Sequence, residues 1–351
     1  MRRYLSAVLC VLATAAPAMA QSPAPARAPE PAIRRWFEFQ QLVFSTRYRL
    51  IRNSADVNTS NHMQYRDQIR FRFNLDPKKR YTVNVGAFTG TQYIASWNNL
   101  GPGTGTFDGK SLYMRQFFFS AAPVTGLEAQ VGSIYPNRGE DTEYTTYDDD
   151  GWVTGGRLSL RRPKDLYFDE VSVTHGTVAS IGTPNLWKRW DDINDTNYTQ
   201  VLVDKRCSPL VSASVDYTRH ASRDTLRAGL AMRFSAKALV QNVRYEQYIR
   251  TTDPGSGAGF SLAAERTFNQ WSRLQAGYVT VDERYGGLNA DRIQRGRRFF
   301  GVANFTIHGP LAAQIFATHA LDAPYSISNK TRLDAVLSYD LGAFLRSTGK
   351  F

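Results

Sequence analysis

Six carboxylates crowd one stretch of an otherwise basic chain: "PNRGEDTEYTTYDDDG", residues 136–151, carries Glu140, Asp141, Glu143, Asp148, Asp149 and Asp150 against a single Arg138. Carboxylates at this density form a solvated loop, hold a hard cation, or set up a local field. The calcium reading needs oxygen ligands spaced along a loop, and three consecutive Asp residues lack that spacing, so no metal is assigned. Set against the acids are arginines that alternate with large apolar residues. In "MQYRDQIRFRFNLD" (63–76), Arg66, Arg70 and Arg72 share one parity and Ile69, Phe71 and Phe73 the other, with Asp67 out of place on the apolar side. Arg47 and Arg49 alternate with Tyr48 and Leu50, and Arg157 and Arg161 with Leu158 and Leu160. The 5 histidines fall mostly in or beside predicted loops and strand ends, and none accompanies a Ser in a recognisable nucleophile motif. Catalysis is therefore not expected, and no catalytic residue is assigned.

The elements that carry these side chains are strands. Period-two alternation starts at Trp36 and predicts about sixteen segments, the first near 36–51 and the last near 330–345, most close to the length of roughly ten residues that a tilted strand needs to cross hydrocarbon. Their connections alternate in length. Long ones (52–62, 91–110, 136–151, 177–197, 251–258, 283–296, 321–329) are separated by tight ones such as "DPKKR", "AK", "NQ" and "GP", with 220–223 the single exception. A soluble sandwich has no reason to sort its loops in this way. A meander threaded through a membrane does, with short turns on one side and long loops on the other. Aromatic residues, 13% of the chain, recur at predicted strand ends (Trp36, Tyr81, Trp152, Tyr198, Trp271, Phe299), where interfacial girdles would place them.

The first twenty residues, "MRRYLSAVLCVLATAAPAMA", have a basic start, a short apolar run and Ala18 and Ala20 as a small-residue site, which reads as a secretory leader cleaved after Ala20. Residues 21–35 form a Pro/Ala-rich linker on the periplasmic side. Only Cys207 remains beyond the leader, so no internal disulfide forms. Of the net charge of +12, loss of Arg2 and Arg3 leaves about +10. For an exported chain without a nucleic-acid motif, that surplus points to anionic solutes, anionic lipid or a channel lining.

Hydrocarbon forbids an open sheet edge, because each unpaired backbone N–H or C=O costs several kcal/mol there. The expected fold is all-β: a closed antiparallel transmembrane β-barrel over 36–351, too wide at about sixteen strands for side chains to fill. Arginines then face a wet lumen and phenyl groups face lipid. The reverse would cost about 2–4 kcal/mol per Arg near the bilayer midplane, which fixes the register.

Leader, strand number, loop alternation and the terminal Phe351 together resemble the bacterial outer-membrane porins. A looser resemblance, to alginate-export-like porins, rests on "LYMRQFFFSAAPVTGLEAQVGSIYPNRGEDTEYTTYDDDGWVTGGRLS". The porin resemblance implies an outer-membrane location, a third long loop (136–151) folded into the lumen, and its six carboxylates set across from wall arginines that include Arg66, Arg70, Arg115 and Arg157. It implies passive diffusion of small hydrophilic solutes, no cofactor, contact with outer-membrane lipid and lipopolysaccharide, and assembly as a homotrimer. The basic surplus adds an expectation of modest anion preference. A selective channel for anionic solutes or oligosaccharides and a non-conducting structural or adhesive barrel are the alternatives. The sequence departs from the family at its end, where Gly349 and Ser347 stand on the parity of Phe351.

Overall fold

A computed structural model describes residues 35–92, 95–109, 112–140, 153–161, 167–178, 183–220, 223–250, 257–282, 296–322 and 329–347. The expected leader, nearly all of the linker and Phe351 lie outside them. Seventeen strands follow in order: β1 (Phe37–Arg52), β2 (Asn58–Asn74), β3 (Tyr81–Phe88), β4 (Asn98–Gly103), β5 (Tyr113–Val124), β6 (Leu127–Ile134), β7 (Val153–Leu160), β8 (Glu170–Thr177) and β9 (Tyr198–Arg206) make the first half. β10 (Val211–His220), β11 (Arg223–Arg233), β12 (Asn242–Arg250), β13 (Ala258–Asn269), β14 (Ser272–Val281), β15 (Gly296–His308), β16 (Leu311–Ala320) and β17 (Thr331–Asp340) make the second. Two short helices, α1 (Leu186–Trp190) and α2 (Leu341–Ser347), complete the described elements.

Apart from β4, which pairs with β2, and β3, which pairs with β2 and β5, every strand pairs antiparallel with its neighbours along the chain, and β1 pairs with both β2 and β17, so the ladder closes. β3 pairs with residues 68–74 of β2 and β4 with residues 62–65, which makes them two pieces of one stave. The barrel therefore has sixteen staves, the number the alternation predicts.

The two faces of this wall are inverted relative to a soluble protein. On β11 the inward Arg227 is 5% exposed and the adjacent Leu226 is 42% exposed. On β10 the inward Ser212, Ser214, Asp216 and Thr218 are buried, while Val215 and Tyr217 between them are exposed. Phe44, Tyr48, Phe73 and Leu337 are exposed where Ser45, Arg47, Gln68 and Asp334 are buried. A soluble sheet buries its apolar face, so only an apolar solvent outside stabilises this arrangement.

Asp67 keeps its outward parity, opposite Phe44, with no bulge between β1 and β2 at that point. It sits where β3 breaks off: its N–H donates to Thr89 Oγ1 at 3.0 Å and its carbonyl accepts the Thr89 N–H at 3.1 Å.

Three expectations change. The long loop predicted over 91–110 contains β4, because the outer half of β2 projects beyond β3 and offers an unpaired edge. Tyr198 belongs to no outer girdle. It is 3% exposed and packs inside the barrel with Phe88, Phe118, Ile134, Val153 and Val178, since even residues of β9 point inward. The last strand stops at Asp340, not near 345. The Asp340 carboxylate accepts the Ala343 N–H at 2.8 Å, which turns the chain into α2. Residues 37–42 of β1 extend past the seam with β17, and Arg346 of α2 donates to the exposed carbonyls of Phe39 (3.1 Å) and Gln40 (2.6 Å). The helix covers a sheet edge that would otherwise be open.

Candidate functional site

The third long loop enters the lumen at its start. From Tyr135 to Glu140 the chain leaves β6 and lies along the inner wall. Arg157 of β7 fastens its first residue, bonding the Tyr135 carbonyl through Nη2 while Nε donates to Thr174 (2.9 Å) and Nη1 to Gln130 (3.3 Å). Asn137 donates to Ser172 of β8 (2.6 Å), and its carbonyl accepts from Gln200 of β9 (2.8 Å). The Glu140 N–H donates to Ser214 of β10 (2.7 Å). Its carboxylate accepts from Arg233 at the end of β11 (3.0 Å) and from the Ser212 hydroxyl. The wall is built from small residues at this contact. A Cβ on Gly229 would stand 2.1 Å from the Glu140 carbonyl oxygen.

Of the six predicted loop acids, Glu140 is thus placed against the wall, and it is paired. Asp141, Glu143, Asp148, Asp149 and Asp150 lie outside the described residues.

The predicted arginines divide into two groups. Arg47, Arg49, Arg66, Arg70 and Arg72 converge on the inner face of β1 and β2, joined by Arg332 of β17. One carboxylate serves three of them: Asp334 accepts from Arg332 (2.5 Å), Arg49 (3.1 Å) and Arg47 (3.5 Å). Arg72 donates to Asn84 (3.0 Å) and lies 3.5 Å from Glu38. Aromatic rings support the remainder. Arg47 and Arg66 lie over the Trp97 ring at 4.1 and 4.7 Å, and Arg70 lies over Phe88 and Tyr135 at 4.9 and 4.8 Å. Each such contact draws a cation to the face of an aromatic ring. Arg70 and Arg72 border a cavity of about 510 Å³ with Gln40, Gln41, Asn84 and Gln116.

The other three are placed elsewhere. Arg115 is 1% exposed on β5 and donates to the carbonyls of Thr89 (2.8 Å) and Ala95 (3.1 Å). Arg157 is occupied by the loop. Arg161 pairs with Glu128 (2.6 Å) and Glu170 (2.8 Å) at the short-turn end. β5 and β7 are separated by β6, and neither adjoins β2, so Arg66, Arg70, Arg115 and Arg157 form no single ladder.

Farther round the inner face, three staves from β2 on β6 and five and six on β8 and β9, stand the acids Glu128, Glu170 and Asp204, with Glu140 beside them. They gather at the short-turn end, whereas the arginines run from Arg72 up to Arg49 near the long loops. Sequence reasoning missed Glu128, Glu170 and Asp204, although each falls on the inward parity of its strand. It also missed Trp97 and Tyr135, whose positions depend on where loops fold.

No protein-family model matches the sequence, and a comparison with curated proteins gives no match. Solved structures do match by shape. A variant of the Rh. blastica porin shares 10% identity over 87% of this chain and 100% of its own, with a TM-score of 0.54. Salmonella typhi OmpF, solved in complex with daunomycin, shares 12% over 87% of this chain and 97% of its own, with a TM-score of 0.56. Identity this low speaks only of architecture, and the architecture agrees in the closed, sixteen-staved wall: the chain has the fold of a bacterial outer-membrane porin.

Proposed function

We propose that the protein is an outer-membrane channel through which small hydrophilic solutes diffuse passively, with a modest preference for anions. The observation that carries this reading is the inverted wall: Leu226 and its outward neighbours suit only lipid, and Arg227 and its inward neighbours suit only water or charge partners. A sixteen-staved barrel is too wide for its own side chains to fill. The described start of the third loop, 135–140, lies along the inner wall, and Tyr135 at its head borders the cavity of about 510 Å³ beside Arg70 and Arg72.

Anion preference is supported by the arginine cluster on β17, β1 and β2. Six guanidinium groups gather on one stretch of wall, where Asp334 pairs with Arg47, Arg49 and Arg332 and Glu38 with Arg72. The acids on β6, β8 and β9, three to six staves from β2, add a field along the inner wall, in which ions of opposite sign would follow different sides.

Purified protein reconstituted in a planar bilayer tests both levels. Stepwise conductance with a reversal potential on the anion side at low salt is expected. Conductance with cation preference would remove the selectivity. A barrel that inserts and carries no current would favour the structural or adhesive role.

A further inference from the structure

Four residues form one row across the wall: Gln41 of β1 stands opposite Arg70 of β2, Arg70 opposite Gly86 of β3, and Gly86 opposite Gln116 of β5. Gly86 puts no side chain between Arg70 and Gln116, which both border the cavity of about 510 Å³ together with Gln41, Asn84, Phe118 and Tyr135. A Cβ on Gly86 would stand 2.7 Å from Gln116 Oε1, so a larger residue there would push the amide aside.

Most polar groups round this cavity are already committed. Arg72 donates to Asn84, and Asn84 Nδ2 donates in turn to Thr82 at 3.1 Å. Arg70 lies over two rings, and the Asp340 carboxylate accepts the Ala343 N–H. Gln116 differs. It is 4% exposed, and no group among the described residues hydrogen-bonds its amide. At the other end of the row, Gln41 Nε2 donates to Gln68 at 3.3 Å while its buried Oε1 has no donor. Buried amides without partners are costly and few in native proteins, so an amide left open on a cavity points to what the cavity receives.

An amide offers donor and acceptor side by side, and a hydroxyl can answer either. A halide or carboxylate only accepts, and it would meet the glutamine oxygens and the Asp340 carboxylate. The ends of the row lie three strand spacings apart, roughly 14 Å, so a solute with hydroxyls round its rim suits them better than a single hydroxyl does. Phe118 and Tyr135 add apolar surface for the C–H faces of such a solute. Small-molecule sites combine these features in volumes of about 300–1,000 Å³.

We propose that the row from Gln41 to Gln116 is a subsite for neutral polyhydroxylated solutes of monosaccharide size, with Gln116 as its hydrogen-bonding anchor. This rests on the pore reading above and deepens it by naming a solute class.

The test follows single-channel current of the full chain in planar bilayers as glucose is added, with triethylene glycol dimethyl ether as a solute that lacks hydroxyls. Glucose is expected to reduce the current saturably, and the ether only in proportion to bulk conductivity. Gln116→Met keeps the shape without the amide and should raise the half-saturating glucose concentration about fivefold, the worth of one neutral hydrogen bond. Gly86→Ala should weaken glucose in the same direction by displacing the amide, and it decides the matter where Gln116→Met fails to assemble a heat-modifiable barrel. A conducting wild type that glucose does not saturate, or a half-saturating concentration unchanged in the variants, overturns the proposal while leaving the pore intact. Saturation by glucuronate but not by glucose assigns the cavity to its arginines and overturns it as well. A wild type with no conductance removes the pore reading itself, and this proposal with it.

Discussion

Arg49 of β1 and Asp334 of β17 are direct cross-strand partners at the seam where the barrel closes, and the guanidinium donates to the carboxylate at 3.1 Å. Asp334 also holds Arg332 and Arg47, so a single carboxylate balances three charges across the joint. Asp334→Asn would leave a buried cluster of like charge. The expected loss is about 3–5 kcal/mol, the usual cost of breaking a buried pair from one side. It would be read as a lower temperature for the shift from compact to unfolded barrel in detergent gels, and an unchanged transition would contradict the joint's role.

The third loop's contact with the wall depends on a missing side chain. Gly229→Ala puts a methyl group into the Glu140 carbonyl, and the neighbour is backbone that cannot rotate aside. The start of the loop should lift from β10 and β11, freeing Ser214 and Arg233. Single-channel conductance should rise, whereas a substitution at Gly301, where an added Cβ approaches nothing closer than 3.9 Å, should leave it at the wild-type level.

Register predicts labelling. With exposed Cys207 replaced, a cysteine at Arg72 should react with a water-soluble maleimide and one at Phe73 with a lipid-soluble reagent. Leu158→Arg, on the outer face of β7, should cost about 2–4 kcal/mol if it falls near the bilayer midplane. The opposite labelling pattern would invert the barrel.

The β2–β3 turn should be sensitive to acid. Partial burial pushes the Asp76 carboxyl up, but the Tyr81 N–H (2.9 Å), the Arg80 side chain and N–H (2.6 Å) and the Lys78 N–H outweigh it and hold the group below its ordinary value. A lowered folded-state value stabilises the turn fully above the unfolded carboxylate range, near 4, and the contribution is lost as pH falls through the lowered value. Amide-exchange protection at Arg80 and Tyr81 should fall in that acid range, and Asp76→Asn should be low at both ends of it.

Arg346→Ala removes the donor to the Phe39 and Gln40 carbonyls. Leaving the β1 overhang without that partner should cost about 1–3 kcal/mol and speed amide exchange at the start of β1 with little effect on β10 or β11. Equal exchange along both regions would show that α2 protects no edge.

The sequence by itself determined the wall. Alternation at Arg70, Phe71, Arg72 and Phe73 is a local pattern of period two, and a one-residue slip would send guanidinium groups into lipid, so strand, face and closure follow from neighbouring residues alone. Loop lengths likewise told the two ends apart. What tertiary structure decided is which inward groups meet. Arg157 and Arg70 are indistinguishable along the chain, yet one ties down a loop and the other lies over two rings, because the start of the third loop and the interrupted stave fold to particular places on the inner wall. Such contacts join residues tens to hundreds of positions apart, as Arg47 with Asp334 or Glu140 with Arg233, and no periodicity within a strand encodes them. The turn into α2 was hidden for a similar reason: Leu341, Ala343 and Leu345 alternate like a strand, but the Asp340 carboxylate takes the Ala343 N–H and turns the chain, and Arg346 then reaches the Phe39 and Gln40 carbonyls of β1.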